Sequence, residues 1–115
     1  MPLRAAAALG YALRGIGFML RERNCLVLAA ATLAVIVASA YFRLAALEWC
    51  AVIAATTLVW VAEGLNTALE RLTDLVSPGY HPLAGKAKDI AAGAVFLAVV
   101  GAVSIGIVIF GPRLL

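Results

Sequence analysis

The sequence predicts an all-α membrane protein: an N-terminal interfacial amphipathic helix followed by three transmembrane helices. Two observations predict it. Of 115 residues, 65% are hydrophobic and only 13% charged, with a mean hydropathy of +1.07, far above a water-soluble domain, in which about half the residues are apolar. The apolar residues also fall into stretches near the ~20 residues that an α-helix needs to cross a hydrocarbon layer. A third observation limits this fold. So short a chain encloses little by itself, so a reaction site would call for several copies together.

The elements follow in order. From about residue 3 to 23, Ala, Leu and aromatic residues alternate with arginines. At 100° per residue Arg4, Arg14 and Arg21 share an arc of roughly 100°, which suits a helix lying in the membrane surface. Arg14, Arg21 and Arg23 also interrupt any charged-then-apolar leader, so no cleaved signal peptide is expected. The first span covers about 25 to 42 and ends at Arg43. The second covers about 45 to 76, with Glu48 and Trp49 at headgroup level near its start and a polar extension at its end. SPGYHPLAGKAK, two Pro and two Gly in one short stretch, reads as a turn-rich connection in which continuous helix is not expected. The third span covers about 90 to 110, without a charge, and closes at the helix-stopping pair Gly111-Pro112. Cys25 and Cys50 lie in apolar stretches without metal-type spacing and read as small core hydrophobes.

Charge sets the expected orientation. With the N-terminus inside, Arg4, Arg14, Arg21, Arg23, Arg71, Lys86 and Lys88 are cytoplasmic and only Arg43 and Arg113 lie outside, as the positive-inside rule requires. The net charge of +3 is thus accounted for by topology and by attraction to anionic lipid or phosphate, and a nucleic-acid partner is not expected.

The second span carries the chemistry. Glu63, Asn66, Thr67, Glu70 and Asp74 fall within an arc of about 100° on one helix. A carboxylate as deep as Glu63 costs several kcal/mol unless it faces partners or water, so it marks function by default. Carboxylates one and two turns apart, opening to the cytoplasm near Lys86 and Lys88, provide oxygen ligands for a hard cation, cations for phosphates and a proton acceptor. Depth divides the roles: Glu63 suits the base, and Glu70, nearer water, suits a metal. Glu22 in RERN reaches the same level. Lys88 and Asp89 open the third span, and Tyr80 and His81 stand in the loop, within reach of a nucleotide. Neither a P-loop nor a protein-kinase motif is present. Two other classes compete. A noncatalytic membrane subunit would use the stripe to bind partner helices, and a proton or cation channel would need polar residues along a full crossing, which the apolar outer half of span two lacks.

AEGLNTALERLTDLVSPGYHPLAGKAKDIAAGAV (62–95), the upstream RERN and the LEW before span two resemble the small bacterial membrane lipid kinases, a family comprising diacylglycerol kinase and undecaprenol kinase. The resemblance covers almost the whole chain, 1–115, as one domain. It implies a homotrimer with shared active sites in the bacterial cytoplasmic membrane, transferring the γ-phosphoryl group of ATP, with Mg²⁺, to a lipid alcohol. It makes Glu63, which opens E-x-x-N, the catalytic base, and Glu70 and Glu22 the metal ligands. It assigns Arg4, Tyr11, Glu22, Glu70, Gly79, Tyr80, His81, Lys88 and Asp89 to ATP, with Asn66 and Asp74 in support. After the glutamate that Glu22 matches, enterobacterial-type diacylglycerol kinases carry a second acidic residue, in an E-A-A-F-R-Q-E-like run, whereas this chain reads ERNCLVL with Leu28 there. SPGYHPLA and AAGAV resemble the undecaprenol kinase branch, so undecaprenol is the expected acceptor and diacylglycerol, giving phosphatidic acid, the alternative.

Overall fold

The structure, a computed structural model, describes residues 2–115, and the side chains of 4–115. It comprises four helices: α1 (Pro2–Met19), α2 (Arg23–Tyr41), α3 (Ala46–Val76) and α4 (Pro82–Leu114). The last three are long and apolar enough to cross a membrane, and the chain is a membrane protein. At ~1.5 Å per residue they measure roughly 28, 46 and 50 Å. The first matches a hydrocarbon core of ~30 Å, and the other two exceed it by several turns. That excess carries the polar chemistry.

Helices α3 and α4 pack along one another, while α2 touches α3 more lightly. The core lies at the end that bears the α2/α3 turn, where Leu44, Val52 and Ile109 are buried against Phe42, Trp49 and Phe110. Phe42 and Phe110 meet with ring centroids 5.9 Å apart. A polar clasp closes the same end. The Glu48 carboxylate accepts from the Ala45 N–H at 2.9 Å and from the Arg113 guanidinium at 2.9 Å, while Arg113 also donates to the Ile109 carbonyl at 2.6 Å. One carboxylate therefore caps the start of α3 and fixes the end of α4. Deeper in the membrane, the Trp60 indole donates to the Thr32 hydroxyl at 2.9 Å and Thr32 donates to the Leu28 carbonyl at 2.7 Å, so α2 and α3 are tied without an unpaired polar group.

Most large apolar side chains remain exposed, among them Leu33, Leu58, Leu97 and Val108. In water this would be untenable. In a bilayer it is the kind of surface that lipid covers.

Three sequence expectations change. The connection between spans two and three shrinks to Ser77–His81, because α4 starts at Pro82. Proline is suited to the first helical position, the His81 imidazole caps the helix by accepting from the Leu83 N–H at 3.1 Å, and the Ala and Lys residues that follow are good helix formers. Gly111-Pro112 does not stop α4, which runs on to Leu114. Pro112 lies within two residues of that terminus, so its lost N–H and ring clash cost at most the final turn. Cys25 is fully buried, but Cys50 is exposed on the apolar surface, so only the first is a core residue.

Candidate active site

A turn at Leu20–Glu22 separates α1 from α2 and sets Glu22 at the N-cap of α2, in extended conformation. Its carboxylate thereby turns toward α3. There Glu63, Thr67, Glu70 and Asp74 recur at i, i+4, i+7 and i+11 and form one polar stripe. Glu22, Asn24, Glu63, Thr67, Glu70, Arg71 and Asp74 together line a cleft of about 440 Å³. Four carboxylates meet there with one lining guanidinium. Arg71 forms an ion pair with Glu22, and Lys88, reaching across from α4, pairs with Asp74.

Asn66 takes a different place. It is buried, at 8% exposure, and lines an apolar groove of about 750 Å³ between α3 and α4 with Leu58, Leu65, Ile90 and Ala94. Its Nδ2 donates to Glu70 Oε1 at 3.1 Å, so the amide steadies Glu70 from behind the cleft wall. Its Oδ1 is buried without a partner among the described residues.

Beside Glu63 the surface turns apolar. Ile16, Met19, Trp60, Val61, Gly64 and Leu65 line a groove of about 490 Å³ between α1 and α3. Gly64 makes this approach possible: a Cβ there would lie 2.8 Å from the Met19 Cε and 2.9 Å from its Sδ. The polar cleft and the apolar groove thus meet within one turn of α3, at residues 63 and 64. A head group and an apolar tail can be received side by side.

The remaining sequence candidates lie apart from the cleft within one chain. Arg4 and Tyr11 are exposed on α1, with the Arg14 guanidinium 5.7 Å from the centre of the Tyr11 ring. Tyr80 is 92% exposed. The Gly79 carbonyl accepts from the Ser77 hydroxyl at 3.1 Å, His81 caps α4, and Asp89 is exposed. Sequence reasoning did not single out Asn24, whose side chain approaches the Glu63 carboxylate, and counted Arg71 only toward topology. Their adjacency to Glu22 and Glu70 was the available signal.

Apolar helices long enough to cross a membrane, with a carboxylate-rich cleft at the edge of an apolar groove, define a membrane protein whose polar chemistry lies beside an apolar surface. A model of the family described as prokaryotic diacylglycerol kinase matches residues 10–110, and the chain belongs to that family. It is a lipid kinase. Similar proteins include an undecaprenol kinase of Bacillus subtilis (strain 168), 41% identical over 93 residues, covering 81% of this chain and 76% of the relative. A diacylglycerol kinase of Synechocystis sp. is 40% identical over 107 residues, covering 91% of this chain and 61% of the relative. A diacylglycerol kinase of Escherichia coli (strain K12) is 34% identical over 73 residues, covering 64% and 60%. The chain therefore spans about three fifths of the length of the latter two.

Proposed function

We propose that this lipid kinase transfers the γ-phosphoryl group of ATP to the hydroxyl of undecaprenol, at the cytoplasmic face of a bacterial plasma membrane, as a homotrimer with its N-terminus inside. The observation that carries the reading is the placement of Glu63 at the junction of the polar cleft and the apolar groove. An alcohol whose chain stays in the membrane brings its hydroxyl to that junction, and the Glu63 carboxylate accepts the hydroxyl proton as the oxygen bonds to the γ-phosphorus, the bond from that phosphorus to the β,γ-bridging oxygen breaks and ADP leaves toward the water side.

The donor set suits a hard cation, since every carboxylate in the cleft offers oxygen. No three His, Cys, Asp or Glu side chains among the described residues converge on one point, and Mg²⁺ commonly takes only one or two carboxylates together with substrate phosphates. Glu22 and Glu70 are the ligands in this reading, with Asn66 holding Glu70 in place. Bound there, Mg²⁺ would neutralise charge on the transferring phosphate. Lys88, held at the cleft by Asp74, contacts the nucleotide phosphates. Arg4, Tyr11, Gly79, Tyr80, His81 and Asp89 stand outside the cleft of their own chain, and in this reading a neighbouring subunit of the trimer brings them to the nucleotide.

Leu28 bears on the acceptor. Where the other branch has an acid, this chain has a leucine that lines an apolar crevice with Val35, Val59 and Val99. That difference and the similarity to the Bacillus enzyme favour undecaprenol. The two relatives named diacylglycerol kinase support diacylglycerol as the second reading. Offering both lipids with radiolabelled ATP and separating the products by chromatography decides between them. Preferential labelling of undecaprenol is expected, and preferential labelling of diacylglycerol overturns the choice of acceptor.

A further inference from the structure

The proposed roles leave Arg71 unused, although among the described residues its guanidinium is the cation that lines the carboxylate cleft, with Lys88 reaching Asp74 from α4. It follows Glu70 on α3 and reaches back, across 49 residues of sequence, to the Glu22 carboxylate. Glu22 stands at the N-cap of α2 with no hydrogen bond from its side chain to the helix it caps, so its carboxylate is not engaged by its own backbone. The Arg71 side chain is 69% exposed and that of Glu22 32%. The arginine is thus free to swing away, while the glutamate stays in the wall. Arg71 and Glu22 both also border a second cleft, of about 730 Å³, between α1 and α3, lined further by Arg21, Met19 and Gly64, so there is open space beside the ion pair into which the guanidinium can turn.

We infer that Arg71 is a positioning residue that occupies Glu22 as an internal cation before the metal–nucleotide arrives, and yields it on binding. The inference rests on the reading of Glu22 and Glu70 as metal ligands. Four carboxylates in one cleft repel one another, and an arginine that neutralises one of them keeps the wall assembled when no metal is present. A divalent cation that takes Glu22 must displace the guanidinium, and the released Arg71 remains one residue from Glu70, beside the incoming phosphates. The metal alone is thus disfavoured, while metal with nucleotide is not, because the phosphates give the displaced arginine a new partner.

Mn²⁺ titration of the full-length protein in detergent, followed by the loss of the free-ion electron paramagnetic resonance signal, tests this without turnover. In the absence of nucleotide, Arg71→Gln is expected to bind Mn²⁺ roughly two- to fivefold more tightly than the unaltered protein, the scale of an exposed ion pair. Arg71→Lys, which keeps the cation, should stay near the unaltered value. In a Glu22→Gln background, Arg71→Gln should add no gain. Unchanged or weaker Mn²⁺ binding by Arg71→Gln overturns the proposal. So does an equal gain in the Glu22→Gln background, since the arginine would then be acting only through its long-range charge. The metal-ligand reading fails separately, if Glu22→Gln and Glu70→Gln both bind Mn²⁺ as the unaltered protein does.

Discussion

At the scale of single residues, Glu63 and Gly64 are adjacent in sequence and opposite in purpose. One presents a carboxylate to the polar cleft, and the other removes a side chain so that Met19 can close the apolar groove. The tight contact at Gly64 is with the far end of a flexible methionine. Gly64→Ala is therefore expected to fold normally, and its better helix propensity of about 1 kcal/mol offsets a small shift of Met19. Gly64→Leu instead fills the groove and pushes Met19 away. It should raise the KM for the lipid while leaving the KM for ATP nearly unchanged, as steady-state kinetics in mixed micelles will show. The stripe of carboxylates was legible in the sequence because helical periodicity alone aligns residues 63, 70 and 74. Glu22 is legible as a candidate from its level at the end of the interfacial helix, but its metal role comes only from the family resemblance, since a turn at 20–22 and not any periodicity brings it to the stripe. Asn66 lies on the edge of the same arc, and it took the packing of α4 against α3 to show that it backs Glu70 from the groove side.

At the scale of the element, helix ends decide more than helix middles. Arg43 closes α2 with φ of 53°, in the left-handed region that costs a side-chain-bearing residue about 1–2 kcal/mol. The Leu44 N–H returns to the Ser39 carbonyl at 3.2 Å, which is the bonding of a helix stop that glycine serves best. Arg43→Gly should therefore raise the thermal midpoint in detergent, by an amount corresponding to about 1 kcal/mol. A lowered midpoint would mean that the arginine's anchoring outweighs its backbone strain. The existence and order of all three spans were readable from apolar run length. The ends were not. Pro82 and Pro112 carry the same residue type, yet one starts α4 and the other lies in its last turn, and what distinguishes them is the His81 cap and the nearness of the terminus. Cys50 differs from its sequence expectation for a related reason: an apolar neighbourhood in sequence does not tell a position buried within the chain from one on its apolar surface.

At the scale of the whole molecule, one chain holds an incomplete set of the proposed nucleotide contacts. Glu22, Glu70 and Lys88 gather at the cleft, whereas Arg4, Tyr11 and Asp89 do not. Shared sites in a trimer predict complementation: co-reconstituting inactive Glu63→Gln subunits with inactive Asp89→Ala subunits should restore measurable kinase activity, because some sites would draw both intact residues from different chains. No recovery, with mixed oligomers verified by crosslinking, would place a complete site within each chain. The central claim is that Glu63 accepts the proton of a lipid hydroxyl, and Glu63→Gln tests it most directly because the amide keeps the size and loses the base. With radiolabelled ATP, Mg²⁺ and undecaprenol in bilayers, the unaltered protein is expected to yield labelled lipid phosphate, and Glu63→Gln to turn over at least about 10²-fold more slowly, while still binding nucleotide. Near-unaltered turnover by Glu63→Gln would contradict it.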